Sequence, residues 1–415
     1  MAPSAFSPLR HRGFALASTS SFVSSIGTWM QAVTLGIYLF SQTHEAYLLG
    51  TVTLASWLPA IIGSPLGGVI AERWSRQRWI QINNFILALC ASALTWLAFT
   101  HHLTAPWIIS LALVEGLSSS SSWAAWQSLL PDLVSHDEVL AAVSISSAQF
   151  NLGRVIGPSA AAIAISFGSF GWSFAFNAAS FIFVFITFFF VRSAPRNLTK
   201  RPITVISDIA VGARAAWTNA ACRHAIISVA VIAFVLSPFI TLIPAMAQGA
   251  LHAGKASTGW LTTAQGLGAV AGAFTLPTLA HRTSRLFVLR GSMVTLAVAV
   301  GLYGIAPSLW WSMAALFVMG AAYIGALSGL NASVQLHAPA SERSRILSLY
   351  TLALSVGYPI GAQLQGVIAG VAGVRQVTVA TSVIGIVLFV TVVLFRPTFL
   401  KILGATPRVV LTSSG

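Results

Sequence analysis

Stretches of about twenty apolar residues, separated by short connections that hold most of the charge, recur along the whole of this 415-residue chain. A helix of that length crosses about 30 Å of hydrocarbon, and helices satisfy their own backbone groups where no water can. The expected fold is therefore all-α and integral to a membrane. Composition points the same way, because 56% hydrophobic and 7% charged residues leave too little polar surface to coat a soluble globule of this size.

Twelve such segments fall at roughly 14–39, 47–71, 79–101, 106–129, 139–166, 171–191, 223–247, 256–280, 286–305, 309–335, 344–370 and 375–395. An even number puts both termini on one side. Of the 22 Lys and Arg, all but Arg154, Lys255 and Arg375 lie in the termini or in alternate connections, which assigns those parts to the cytoplasm. The net charge of +14 is then a positive-inside bias, and no nucleic-acid partner is expected. The first span begins near residue 14 and is too long for a signal h-region, so no cleaved signal is expected. Cys90 and Cys222 are too far apart in this topology to be expected as partners, which leaves no disulfide and no thiolate metal site.

The apolar pattern breaks where Arg192, Pro195, Arg196, Lys200, Arg201 and Pro202 crowd together. That break divides the chain into a first bundle over 1–192, a cytoplasmic linker over 193–222, a second bundle over 223–396 and a cytoplasmic tail over 397–415. The stretch 201–222 reads equally as an amphipathic helix lying along the membrane or as a plain linker. The two halves repeat each other. Aligning 50–76 with 259–285 pairs Gly50 with Gly259, Gly63 with Gly272, Arg73 with Arg282, Ser75 with Ser284 and Arg76 with Arg285, and Gly153-Arg154-Val155-Ile156-Gly157 falls on Gly357-Tyr358-Pro359-Ile360-Gly361. Two six-helix bundles related by a parallel repeat, with a substrate cavity between them near the midplane, are the plan expected of a transporter.

Of eight acidic residues, only Glu115 sits well inside a span, where an unpaired ionised carboxylate costs on the order of 2.5–3.5 kcal/mol. It is the candidate for proton coupling. A structural reading has the serines from Ser118 to Ser122 holding a neutral carboxyl. Arg154 is the basic residue deep in a span and, since a guanidinium cannot shed its proton, it needs an anion, carbonyls or water. Ser147, Asn151, Arg154 and Pro158 share one helical face, on which Arg154 either binds an anionic group, pairs with Glu115 in one state of a cycle, or satisfies helix carbonyls. In the glycine-rich helix end and loop, Gly68, Glu72, Arg73, Arg76 and Arg78 could form an ion-pair latch, or the arginines simply obey the charge bias. Trp29, Trp57, Trp123, Trp126, Gln265, Asn331, Tyr358 and Gln365 could line a cavity for an amphiphilic, partly aromatic ligand, with Gln31, Asn151 and Gln363 the amides singled out.

Gly249 to Ala256 approaches a phosphate-loop pattern, but Ala256 stands where Ser or Thr is required. The histidines lack ligand spacing and no nucleophile-base-acid constellation is present, so neither metal, cofactor nor catalysis is expected.

Four segments carry a family likeness: Ser25-Ile26-Gly27-Thr28-Trp29-Met30-Gln31, Ser64-Pro65-Leu66-Gly67-Gly68, the loop 72–78, and Asn151-Leu152-Gly153-Arg154-Val155-Ile156-Gly157-Pro158. Over essentially its whole length the chain resembles the major facilitator superfamily, and within it the enterobactin-exporter-like branch of transmembrane secretion effectors. Gly153, Gly157 and Pro158 resemble the motif associated with antiporters, although the glycine pair expected after it is Ala161 and Ala162. The signature loop has Glu72 for the usual Asp and Ser75 for a usual glycine, and Ala112 stands where many drug-proton antiporters carry an arginine. The resemblance implies alternating access by a monomer in the bacterial inner membrane. Together with Glu115 it leads to an expected proton-gradient-driven export of a small amphiphilic drug, siderophore or metabolite. Uptake, lipid flipping and a non-transporting scaffold are the rivals.

Overall fold

The computed structural model describes residues 6–191, 205–339 and 342–404. Every regular element in it is helical. The first half holds α1 (Arg12–Thr43), α2 (Ala46–Trp57), α3 (Ala60–Arg73), α4 (Arg76–Phe99), α5 (Ala105–Leu129), α6 (Val139–Ser166) and α7 (Gly171–Thr187). A helix α8 (Val205–Thr218) follows, then α9 (Ala220–Val231), α10 (Phe239–Pro244), α11 (Lys255–Arg282), α12 (Arg285–Gly304), α13 (Leu309–His337), α14 (Arg343–Ala372), α15 (Val374–Phe395) and α16 (Pro397–Gly404). The linker is helical from Val205, while its first part and the end of the tail lie outside the described residues.

Among the described residues nine helical segments are long and apolar enough to cross a membrane, α2 and α3 together forming one and 220–250 another, and α7 is a shorter apolar helix. Two further long helices, α5 and α11, are diluted by the serines 118–122 and by threonines, glycines and Gln265. Buried Thr258, Thr263 and Gln265 show why α11 can carry that polarity, since it faces other helices rather than lipid.

Proline shapes two columns. Leu58 and Pro59 interrupt the first at the α2–α3 junction. In the other, π-helical turns at Ile232–Leu236 and Ala245–Ala250 flank α10. Pro238 has no N–H to offer the carbonyl of Phe234, and the amide of Gln365 donates to it at 3.2 Å and to Val235 O at 2.9 Å instead. Gln365, expected to line a cavity, is thus occupied in repairing a helix.

The connections are short. Ser75 and Ser284, aligned by the repeat, each cap the following helix, accepting from the N–H of Arg78 and of Phe287. That explains a serine where the resembled family has glycine. These two connections lie at what is here called the basic end. At the opposite end, His44, His101, Gly168, His252 and Gly373 take left-handed backbone conformations in the connections.

The core divides by position. One cluster, with Phe14, Ile80, Leu129 and Phe188, belongs to the first half, and another, with Val229, Leu296, Met319 and Tyr350, to the second. A third joins the halves at the opposite end, bringing Leu35, Leu49 and Leu97 together with Leu242, Ala245, Ala369 and Val377.

Candidate transport site

Two seams hold the halves together, and both run along the opposite-end part of the molecule. In the first, α2 meets α14 so closely that a Cβ on Gly50 would lie 2.6 Å from Gln363 Cα and 2.7 Å from Ala362 O. In the second, α11 meets α6, where a Cβ on Gly259 would lie 2.8 Å from Pro158 O and 2.7 Å from Ala162 Cβ. Only a residue with no side chain permits either approach. Ala162, standing in for an expected glycine, does not loosen this packing, because Gly259 on the facing helix supplies the room. Gly153 and Gly157 work inside the first half, their Cβ positions falling 2.4 Å from Ser25 Oγ and 2.5 Å from Trp29 Cβ of α1.

Each seam ends in polar and aromatic groups. On the first, Thr51 donates to Gln363 Oε1 at 3.0 Å, Thr53 meets Thr241 at 3.2 Å, Thr241 meets the Tyr358 hydroxyl at 2.8 Å, and Tyr358 stands edge-on to Trp57 at 5.6 Å. On the second, Ser159 meets Thr263 at 3.0 Å, and Arg154 Nη2 donates to Gln265 Oε1 at 3.3 Å. The Arg154 guanidinium also lies 5.5 Å from the Trp29 ring centroid. Among the described residues the hydrogen bonds between the halves lie from these groups toward the opposite end, which points to a cleft open to the basic end with Arg154, Trp57 and Tyr358 at its ceiling and Gln265 buried beside Arg154. Within the second half, α13 and α14 frame a recess of about 320 Å³ on that side, lined by Ser328, Asn331, Gln335 and Tyr350.

Glu115 lies within the first half. Gln31 Nε2 donates to both of its oxygens, at 3.0 and 2.9 Å, and Gln31 Oε1 in turn accepts from Asn177 Nδ2 at 2.8 Å. Ser180 completes the relay with a bond to Asn177 Oδ1 at 3.1 Å. Three helices, α5, α1 and α7, are tied through one carboxyl.

Several sequence expectations change here. Ser119 and Ser120 donate to the carbonyl of Gly116, and Ser121 accepts from Trp79, so the serine run does not hold Glu115. Their hydroxyls reach back along their own helix, whereas Gln31 comes from a neighbour at the right height. Glu115 and Arg154 form no ion pair with each other among the described residues. Asn151 is exposed and its Nδ2 donates to Ser147 O of the same helix at 2.8 Å. Trp126 is core, packed near Phe188 and donating to Ser146.

In the expected latch, Arg76 bonds the Asp132 carboxylate and donates to Ser128 O at 2.7 Å, which ties the start of α4 to the end of α5. Arg78 is exposed, and the side chains of Glu72 and Arg73 lie outside the described residues. The close helix approach is made by Gly67, whose Cβ would fall 2.3 Å from Ser121 O, while Gly68 has open space around it. Asn177 was missed from the sequence. Its only signal is an amide in the Phe-rich helix α7.

The family model for the transmembrane secretion effectors, a branch of the major facilitator superfamily, matches residues 3–405. The chain belongs to that family. The enterobactin exporter EntS of Citrobacter koseri is 24% identical over 364 residues, covering 86% of this chain and 85% of that one. EntS of Salmonella typhi is 26% identical over 369 residues, with the same coverage. Among solved structures, the nucleoside transporter NupG superposes with a TM-score of 0.75 at 14% identity, covering 95% of this chain and all of that one. A bacterial homologue of the lysosomal transporter Spinster, inward-facing and occupied, gives 0.73 at 15% identity, covering 96% and 99%. The fold is that of the major facilitator superfamily, and the chain is a multi-pass membrane transporter rather than an enzyme.

Proposed function

We propose that this protein is a proton-coupled exporter of a small amphiphilic compound in the bacterial inner membrane, working by alternating access. The observation that carries the proposal is the partner of Glu115. A carboxylate paired with a guanidinium stays ionised, but one held by the amide of Gln31 keeps a neutral partner in either protonation state. Such a group can take up and release a proton as its surroundings change, which a buried ion pair resists. The relay through Asn177 and Ser180 fixes Gln31 in the orientation that serves Glu115.

The positive-inside bias supports a cytoplasmic basic end, and on that orientation the cleft described above corresponds to an inward-facing state, ready to load. Closing it requires the halves to rock about the two seams, opening the opposite end to the exterior. A proton arriving from outside neutralises Glu115 and favours return. The names of the relatives support a siderophore or similar compound as cargo. The reading needs no bound cofactor, the proton gradient supplies the energy, and one chain provides both halves, so a monomer suffices.

The test is transport in proteoliposomes with an imposed pH gradient, using enterobactin and a lipophilic dye as probes. Gradient-driven movement is expected in the wild type and roughly a tenfold or greater loss in Glu115→Gln, with gradient-independent exchange retained. Full gradient dependence in Glu115→Gln would remove the carboxyl from the coupling step.

A further inference from the structure

The weakest bond in the site is the most informative one. Arg154 carries a charge it cannot lose, lies among membrane-spanning helices, and has no carboxylate within ion-pair distance among the described residues. Its bonding partner is a neutral carbonyl oxygen, Gln265 Oε1, at 3.3 Å, a long contact for a charged donor. Gln265 itself is 1% exposed, and its Nε2 has no hydrogen-bond partner at all. A guanidinium only donates, so the amide must turn its oxygen toward Arg154 and its nitrogen away, into a place where nothing receives it. An orphaned amide N–H in a buried position costs free energy, and although Gln81 Nε2 shares that state, Gln265 is the one whose amide meets the Arg154 guanidinium.

We infer that Arg154 and Gln265 form an oxyanion subsite at the ceiling of the cleft, with the Gln265 carbonyl holding the place of one oxygen of a carboxylate or another oxyanion on the transported molecule. When the anion arrives it displaces Gln265 Oε1 from Arg154. A half-turn about the last torsion of Gln265, which is broad and nearly two-fold, then presents Nε2 to the second oxygen. The turn breaks only the long bond and gives the unpartnered nitrogen its acceptor. The guanidinium already lies over the Trp29 ring, 5.5 Å from its centroid, so an anion bound there has an aromatic surface beside it for its apolar body. The cargo class is therefore a lipophilic oxyanion rather than a lipophilic cation.

Arg154 is on α6 and Gln265 on α11, so the subsite bridges the two halves at the inner limit of the second seam. A bound anion is held by both bundles at once, and its loading is linked to how they pack. The inference rests on the transporter reading of the cleft but not on the role of Glu115.

Equilibrium binding to the purified full chain in lipid nanodiscs, with no proton gradient, separates the two. The probes are 1-naphthoate and its neutral methyl ester, followed by quenching of tryptophan fluorescence and by calorimetry. Naphthoate is expected to bind more tightly than the ester, to lose roughly tenfold or more in affinity in Arg154→Gln, and to lose several-fold in Gln265→Leu, while the ester responds to neither change. Arg154→Lys should recover part of the loss. Gln265→Leu removes a buried unpartnered amide and keeps the size of the side chain, so it serves as the folded control if Arg154→Gln is unstable. Equal binding of acid and ester by the wild type, or naphthoate affinity unchanged in Gln265→Leu and in Arg154→Lys, overturns the proposal.

Discussion

The two seams between the halves share a backbone and differ in chemistry. The repeat that pairs Gly50 with Gly259 reappears in space, since Gly50 packs on Ala362 of α14 and Gly259 on Pro158 of α6, which are themselves equivalent positions. The same holds one helix further in, where Gly116 meets Ser56 O and Gly320 meets Gln265 O. Side chains break the symmetry. Arg154 on one seam is answered by Tyr358 on the other, Gln265 by Ser56, and the inward carboxyl of Glu115 by the fully buried Met319. Duplication supplied two equivalent close approaches, and of these paired positions the charged ones, Glu115 and Arg154, both fall in the first half. A symmetric transporter would need a counter-charge for two guanidiniums in the membrane, whereas one seam built from Tyr358, Thr241 and Trp57 closes without any.

The strongest way to break this comparison is to fill the glycines. Gly50→Leu and Gly259→Leu should each reduce transport by roughly tenfold or more, because neither seam can close over a side chain, and the populations shift away from the inward-facing state. Distance measurements between spin labels across the opposite end would show the separation lengthen to a similar degree in both. A large effect in one and none in the other would mean that the seams are not equivalent hinges.

A smaller effect separates the polar half from the apolar one. Asn177→Leu leaves Gln31 Oε1 without its buried donor and should cost about 1–3 kcal/mol, read as a lower melting temperature in detergent. Met319→Leu, at the position answering Glu115, keeps volume and should cost below about 1.5 kcal/mol. Equal losses would show that the relay holds no special energy.

The smallest effect sharpens the seam chemistry. Tyr358→Phe removes the bond to Thr241 but keeps the ring against Trp57, so a stability loss of about 1 kcal/mol and a change in transport well below that of the glycine variants are expected. A loss as large as theirs would assign the Tyr358 hydroxyl to the substrate rather than to the seam.

Much of this was legible in the residues. Apolar length marked the helices, the charge bias marked one end, and Glu115 and Arg154 stood out because ionisable groups are expensive in a bilayer. Gly50, Gly259, Gly153 and Gly157 could be paired by repetition before any contact was known. Gln31 was named as an amide of interest, but nothing in its own helix shows that it bonds Glu115, and Asn177 escaped attention altogether. The partner of a side chain depends on the height and rotation at which two helices meet, and hydropathy along one helix carries neither.

The same limit accounts for Gln365 and Gln265, two amides that look alike as letters. One repairs a carbonyl left by Pro238, and the other faces Arg154 with a nitrogen to spare. The sequence alone determined that the chain is a duplicated bundle of membrane helices with one acid and one arginine inside, because the cost of burying charge and the length of a bilayer act on local composition. The tertiary structure alone decided where the two halves join, and that the acid belongs to an amide while the arginine meets a neutral carbonyl. Those outcomes depend on contacts between residues 84 or more positions apart in the chain, where distance and orientation choose the partner.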